Sequence, residues 1–394
     1  MKILQVHNFY QKPGGEDQVV AAEQELLTNH GHSVEQYQVH NDRIEMLPSW
    51  NVALKTLWNS ESLSTVQQRI SCFNPDLVHV HNTFPLISPS VYYAAAAQHV
   101  PVIQTLHNFR LVCPGSTLFR DGHVCEECLN SVAPYPAIIH RCYRGSLGAS
   151  AVSAAMLTAH RMTGTWTRKV QTYIAVTDAA KRKFVEGGLP ADRIVVKSNF
   201  IAHDPGLGMG EGKFALFVGR LCEEKGIRTL LQAWKALPDV PLKIAGDGPL
   251  RDLVAESTRN MANVSWLGYC NHANVLQLLK DAFVLVVPSV WYEGDPLIII
   301  EASACGTPVI LSDLGSMGEW AAESGLGMRF APGDAVDLAK QVRALNARAQ
   351  HFPSSGLASL RMRMRQYFLA HYTAEQNYRQ LLAIYESALV ASHA

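Results

Sequence analysis

The chain has 394 residues, more than one hydrophobic core usually organises, so two domains are expected. Hydrophobic residues make up 48% and charged residues 17%, an ordinary globular balance, and a formal net charge of zero removes any global electrostatic case for nucleic acid. Met1 runs straight into an apolar strand-like segment without the basic region and cleavage site of a signal peptide. No apolar run is long enough to span a bilayer, so the chain reads as cytoplasmic.

Residues 1–6 read as a strand, and residues 19–30 carry helical apolar spacing that Gly31 closes. Residues 76–81, 102–107, 172–176 and 193–196 read as further strands. Strands separated by helices imply a parallel sheet covered on both faces. Residues 201–213 (Ile-Ala-His-Asp-Pro-Gly-Leu-Gly-Met-Gly-Glu-Gly-Lys) then read as a flexible glycine-rich linker. The alternation restarts with strands at 214–218, 242–245, 264–267, 284–287 and 308–311, and residues 361–390 carry one or two amphipathic helices. The expected fold class is therefore α/β, with two doubly wound, Rossmann-like domains facing each other across a cleft. The expected divisions are an N-terminal acceptor domain at 1–200, a linker at 201–213, a C-terminal donor domain at 214–365 and a helical tail at 366–394. A cysteine-containing insertion at about 110–165 interrupts the first domain.

The loop after the first strand of the second domain is Gly219-Arg220-Leu221-Cys222-Glu223-Glu224-Lys225-Gly226. Ligands of open α/β sheets bind at the carboxyl ends of strands, where this loop lies. Gly219 permits close backbone approach, while Arg220 and Lys225 place two cations at the mouth of the next helix, a combination suited to a diphosphate. Further on, Glu293-Gly294-Asp295-Pro296-Leu297-Ile298-Ile299-Ile300-Glu301 holds two glutamates around the start of an apolar helix. Pro296 reads as its first residue and Gly306 as its stop. Glu301 among isoleucines needs strong donors, which ribose hydroxyls would supply. Glu293 precedes the helix, where it can face a sugar, beside the amides of residues 294–297. The chain has no Asp-x-Asp triplet of the kind that holds a cation on a diphosphate, which agrees with Arg220 and Lys225 taking that role without a catalytic cofactor.

Together with Gly246-Asp247-Gly248-Pro249 and with Gly315 and Glu319, these motifs resemble the family-4 retaining glycosyltransferases of the GT-B fold, over nearly the whole chain. The resemblance implies a nucleoside-diphosphate sugar donor, UDP- or GDP-linked, bound mainly by the C-terminal domain. Arg220 and Lys225 would neutralise the leaving diphosphate, Glu301 would hold the ribose, and Glu293 the sugar hydroxyls. Asp295 departs from the family pattern, which more often has a small or apolar residue there. The C-terminal helix is expected to return to the first domain, as in related enzymes.

In the first domain Lys12-Pro13-Gly14-Gly15-Glu16 opens the first helix, and its glycines allow a ligand close to the helix terminus. In the family this loop lies beside donor phosphates and acceptor, so Gly14, Gly15 and Glu16 inherit that placement. His107, followed by Asn108, ends a strand and matches a family histidine that faces the donor sugar. His81 is a second candidate on the acceptor side, with His79 expected on the opposite face.

Cys113, Cys125, Cys128 and Cys142 form C-x11-C-x2-C-x13-C, which fits a structural zinc site as well as metal-free thiols or labile disulfides. From Arg141 to Lys183 eight basic residues stand against one acid, Asp178. The run suits either an anionic membrane face, with a polyprenyl-diphosphate-linked saccharide as acceptor, or a merely solvated helix. Taken together with what the family resemblance implies, the first of these points to a peripheral place on the inner face of the plasma membrane, in cell-surface polysaccharide synthesis. Competing readings are a GT-B phosphorylase, a nucleotide-sugar epimerase and a catalytically silent partner subunit.

Overall fold

The computed structural model describes residues 1–11, 14–351 and 357–393; Lys12 and Pro13 of the first glycine loop lie outside them. The chain divides into two compact units. One comprises Met1–Leu118, Cys125–Ala202 and the chain from Ala374 onward, and the other comprises Phe119–Val124 and His203–Thr373.

The first unit holds β1 (Lys2–Phe9), β2 (Ser33–His40), β3 (Leu77–Asn82) and β4 (Val102–Leu106). A small antiparallel hairpin, β5 (Phe119–Arg120) and β6 (His123–Val124), follows in sequence, and then β7 (Thr172–Ala175) and β8 (Ile194–Val196). The six long strands pair in parallel in the order β2-β1-β3-β4-β7-β8. β3 and β4 are buried along their whole length, as befits strands covered on both faces. The edge strand β2 escapes sequence reading because its inner half is glutamine- and glutamate-rich and only Tyr37 and Val39 are buried. The first helix, Gly15–Asn29, starts earlier than its apolar spacing suggests because the glycine loop feeds directly into it.

The second unit holds β9 (Ala215–Val218), β10 (Leu242–Ala245), β11 (Val264–Gly268), β12 (Val284–Val287), β13 (Val309–Ser312) and β14 (Met328–Phe330). They too are all parallel, in the order β11-β10-β9-β12-β13-β14. β9 and β12 are neighbours whose connections leave in opposite directions, which makes their junction the topological switch point where doubly wound sheets bind ligands. They pair only at Ala215–Val284 and Leu216–Leu285, so their carboxyl ends part.

Two expectations change. Residues 203–213 are not a flexible connector but a strap on the second unit. The amides of Gly208, Gly210 and Gly212 donate to the carbonyls of Cys305, Lys280 and Asp281 at 3.0, 2.9 and 2.8 Å. The buried Arg361 guanidinium donates to the Gly208, Lys280, Ala282 and Cys305 carbonyls. A Cβ at Gly208 would stand 2.4 Å from Lys280 Cα, so glycine serves close packing there rather than mobility. The second change concerns the tail. The helix Ala358–His371, with Met364 and Phe368 buried, stays with the second unit, and only the helix Ala374–His393 joins the first.

That last helix inserts Leu381, Tyr385 and Ala388 among Ile3, Leu27, Leu77, Ile103 and Ile174, and so supplies core that the first unit otherwise lacks. Leu381 is fully buried. Leu381→Ala should cost about 2–5 kcal/mol of first-unit stability, as a cavity in a packed core does. Denaturant unfolding followed by hydrogen exchange of β1 and β3 amides measures it.

Candidate functional site

In the second unit, the loop after β9 passes through a short 3-10 turn, Glu223–Lys225, and turns at Gly226 into the helix Ile227–Trp234. Gly226 has φ +70°, and a Cβ there would lie 1.8 Å from the Pro288 carbonyl oxygen, so no other residue fits. This close approach brings the loop after β9 against the loop after β12. Lys225 Nζ meets Glu293 Oε1 at 2.7 Å, and Ser289 Oγ donates to the same oxygen at 2.6 Å. Ser316 Oγ holds the Glu293 carbonyl at 2.9 Å. Burial pushes the Glu293 carboxyl up, but the Lys225 charge and the side-chain hydrogen bonds, those of Lys225 and Ser289 foremost, outweigh it and hold it below the usual range. Arg220 is exposed, and among the described residues its guanidinium takes no hydrogen bond or ion pair.

Pro296 caps rather than begins the helix Leu297–Ala304, and Gly306, at φ +69°, follows its end. Glu301 lies on the buried side of that helix, and its Oε1 meets His272 Nε2 at 2.8 Å. Sequence reasoning missed His272. The signal was present, since Asn271-His272 opens a helix just past β11, on the same carboxyl edge of the sheet. Asp295 has an internal neighbourhood: its charge adds to burial in raising the hydroxyl of Tyr372 and, from further off, that of Tyr367.

In the first unit, Gly14 and Gly15 open the helix Gly15–Asn29. Gly14 has an extended backbone, and a Cβ there would meet nothing within 4 Å, so neither conformation nor packing demands glycine. Its amide, however, already donates to Asp17 Oδ2 at 2.9 Å, and Asp17 Oδ1 meets His7 Nε2 at 2.8 Å. Glu16 Oε2 accepts from Tyr10 Oη at 3.0 Å and from Asn108 Nδ2 at 3.1 Å, which brings two of the expected acceptor-side residues together. Burial, with the Asp17 charge adding to it, pushes the Glu16 carboxyl up to about 8, so it holds its proton at neutral pH.

His107 and His81 are in contact, with Nε2 of the first 3.0 Å from Nδ1 of the second and the rings stacked. His79 does not take the opposite face. Residues two apart on a strand share a side, and its ring lies 4.1 Å from that of His81, centre to centre. Behind them Glu23 Oε1 pairs with Lys197 Nζ at 2.8 Å. Glu23, His79 and His81 bring three ligand atoms within 4.8 Å of one another, the one group of that kind among the described residues. It is poorly suited to a metal. Lys197 already supplies the cation, and both His79 nitrogens are bonded, to Tyr385 Oη and Thr105 Oγ1, each at 2.8 Å.

Cys113, Cys125, Cys128 and Cys142 form no disulfide. A Cβ at Gly115 would lie 3.7 Å from Cys113 Sγ and 3.4 Å from Cys142 Cβ, while the Cys142 amide donates to the Ala137 carbonyl. Burial, reinforced by the neighbouring thiols, pushes the Cys128 thiol up to about 12. Part of the basic run is consumed internally. Arg161 binds the Leu111 and Ser131 carbonyls, Arg168 the Thr163 carbonyl, and Lys183 pairs with Glu126 and Glu186.

The His272–Glu301 contact predicts a pH signature. The hydrogen bond that His272 donates to the Glu301 carboxylate raises His272 above its ordinary value of 6.5. A raised folded-state value means that the pair's contribution is complete below 6.5 and lost as pH rises through the raised value. The difference in melting temperature between wild type and His272→Gln should therefore shrink with rising pH across that window. A difference that grows instead would contradict the pairing.

Residues 18–204 match the family described as Glycosyltransferase Family 4, and residues 203–366 match Glycosyl transferases group 1. The chain is 35% identical over 153 residues to the glycogen synthase of Mycobacterium tuberculosis, which is 37% of this chain and 36% of that protein. It is 29% identical over 195 residues to the phosphatidyl-myo-inositol mannosyltransferase of Mycobacterium leprae, 46% of this chain and 51% of that one. The matches thus span about a third to a half of these relatives' own lengths. The solved structure of Anabaena Alr3699/HepE in complex with UDP superposes with a TM-score of 0.68 at 17% identity, over 98% of this chain and all of that one. No helix among the described residues is long and apolar enough to cross a membrane. With both halves matched and this likeness in fold, the chain belongs to the family 4 glycosyltransferases and has the GT-B fold.

Proposed function

We propose that the chain is a retaining glycosyltransferase that works without a catalytic metal. It moves a hexose-type sugar from a UDP- or GDP-sugar to a saccharide or polyprenyl-diphosphate-linked acceptor in cell-surface polysaccharide synthesis. The observation that carries this reading is the Lys225–Glu293 pair at the switch point between β9 and β12, with Arg220 exposed beside it. Lys225 and Arg220 supply two positive charges to a leaving diphosphate, where a metal ion would otherwise stand. Glu293, ionised and held by three contacts, accepts hydrogen bonds from sugar hydroxyls, and Glu301, steadied by His272, accepts from the ribose. His107, a neutral group because burial lowers its basicity, is the candidate residue of the first unit. Retention of configuration rests on family membership.

The relatives support the donor class: the Anabaena structure is a complex with UDP, and a second form of it holds UDP and glucose. The test is a thermal-shift and hydrolysis screen of UDP- and GDP-sugars in EDTA. One donor should stabilise wild type, Glu301→Gln should lose that shift, and Lys225→Ala should lower turnover by about 100-fold or more, the scale of a lost transition-state charge contact. Turnover only on adding inorganic phosphate would point to a phosphorylase. Silence towards every donor would make the chain a partner subunit.

A lipid-linked acceptor has its own support in the first unit. A groove of about 460 Å³ is lined by Leu47, Trp50, Val52, Phe84, Tyr143 and Arg144. Trp50, Leu54, Met46 and Leu147 are exposed, which large apolar side chains seldom are in a group without a surface to meet. Cosedimentation with anionic vesicles should be clear for wild type and lost in Trp50→Glu. Equal activity on soluble and lipid-linked acceptors, with no vesicle binding, would remove this part.

A further inference from the structure

Behind His107 lies a chain of buried polar groups that the reaction scheme leaves unused. His107 Nε2 is 3.0 Å from His81 Nδ1, and His81 Nε2 faces Glu23 Oε2 at 3.6 Å. The other Glu23 oxygen meets Lys197 Nζ at 2.8 Å, and Lys197 also reaches Asn377 Oδ1 at 3.3 Å. Glu23 is fully buried, and His81 and Lys197 are 3% exposed each. At 3.6 Å the two face each other in an electrostatic contact longer than a hydrogen bond, and neither Glu23 Oε2 nor His81 Nε2 has a hydrogen-bond partner.

The protons of this chain can be placed one after another. Glu23 beside the Lys197 ammonium is a carboxylate, and a carboxylate oxygen only accepts. His81 Nε2, which faces that oxygen, therefore carries a hydrogen, since a lone pair there would oppose another lone pair. His81 is neutral: burial lowers its basicity, and the neighbouring histidines and Lys197 lower it further. A neutral imidazole protonated on Nε2 has a bare Nδ1. The 3.0 Å contact then requires His107 Nε2 to be the donor. His107 is neutral for the same reason, burial first. Its remaining nitrogen, Nδ1, is consequently a hydrogen-bond acceptor.

We infer that Glu23 acts as a positioning residue that sets the tautomer of His107 through His81, so that His107 presents a bare Nδ1 to the hydroxyl of a bound sugar. The ligand class follows from the polarity. An acceptor nitrogen takes an O–H donor and repels phosphate or carboxylate oxygens. His107 therefore reads a sugar hydroxyl and not the diphosphate. Lys197 and Glu23 cancel in charge, which lets the polarity be imposed without a net buried charge. The C-terminal helix takes part as well, because Tyr385 and Asn377 belong to it and hold His79 and Lys197 in place. The role of His107 towards the sugar rests on the function proposed above; the tautomers of both histidines do not, and can be measured without any substrate.

The experiment is long-range ¹H–¹⁵N correlation on the full chain with labelled histidine, with the two signals assigned through His107→Gln and His81→Asn. Both rings should appear in the Nε2–H form. In Glu23→Gln/Lys197→Met, which keeps the buried pair neutral, His107 should move to a mixture or to the Nδ1–H form, while Glu23→Asp should retain the wild-type pattern. An Nδ1–H form of His107 in the wild type would overturn the inference, as would an unchanged His107 in the double variant. With a donor found by the screen above, the double variant should lose about tenfold or more in kcat while KM for the donor stays within about twofold, the pattern of misaligned chemistry rather than lost binding. The expected tautomers in a chain that turns over no donor would sink the proposed function and leave the relay standing.

Discussion

The contact on which the second unit's site depends is the ion pair of Lys225 and Glu293, and it exists because two neighbouring strands stop pairing early. β9 and β12 share two residue pairs and then part, so the segments after them face each other instead of continuing the sheet. Gly226 lets the first of these segments press on the Pro288 carbonyl, a fit no side chain would allow. A carboxylate as buried as Glu293 would ordinarily favour its neutral form. Lys225 and Ser289 instead make it a fixed anion whose geometry is set before any ligand arrives. A site of this kind spends little reorganisation at the moment of reaction, since its charges are already aimed. Glu301 follows the same design on the neighbouring helix, with His272 in the part that Lys225 plays for Glu293.

The first unit solves a related problem differently. Its polar groups, His79, His81, Glu23 and Lys197, are buried beneath the carboxyl edge around the Glu23–Lys197 ion pair, with Glu23 Oε2 and His81 Nε2 left facing each other at 3.6 Å. Buried polar networks are costly when incomplete and specifying when complete. Here the network draws on five separate pieces of chain: the first helix, β3, β4, the segment after β8 and the final helix. Glu16, by contrast, lies at the opening of that first helix as a carboxyl that keeps its proton, held by Tyr10 and Asn108. Two acids about two turns apart on one helix thus meet different surroundings, a lysine at 2.8 Å for Glu23 and the Tyr10 and Asn108 donors for Glu16.

How much of this was legible in the sequence depends on the kind of residue. The apolar runs of β3, β4, β12 and β13 declared themselves, and so did Lys225, Glu293 and Glu301, because charged residues next to glycine or inside an isoleucine run are expensive without a reason. β2 was illegible, since an edge strand tolerates the Gln and Glu that disguise it. Ser289 was illegible for another reason: it is an ordinary residue until the fold sets it beside a carboxylate, whereas His272 left a positional signal at a helix start past β11 that sequence reasoning missed. Glycine misled in one place. Gly208, Gly210 and Gly212 look like a hinge by composition, yet their amides are tied to the second unit, and composition alone does not separate a residue that must bend from one that must fit.

The helix Ala374–His393 has a consequence for how the protein is made. A ribosome delivers the six strands of the first sheet well before the residues that finish that unit's core. Until Leu381, Tyr385 and Ala388 emerge, the patch formed by Ile3, Leu27, Leu77 and Ile103 lacks its cover, and His79 lacks the hydroxyl that holds it. The second unit, whose sequence is contiguous apart from one short hairpin, can close first. The first unit, though synthesised first, is then completed last, and its histidines acquire their final arrangement only once the helix Ala374–His393 has been translated.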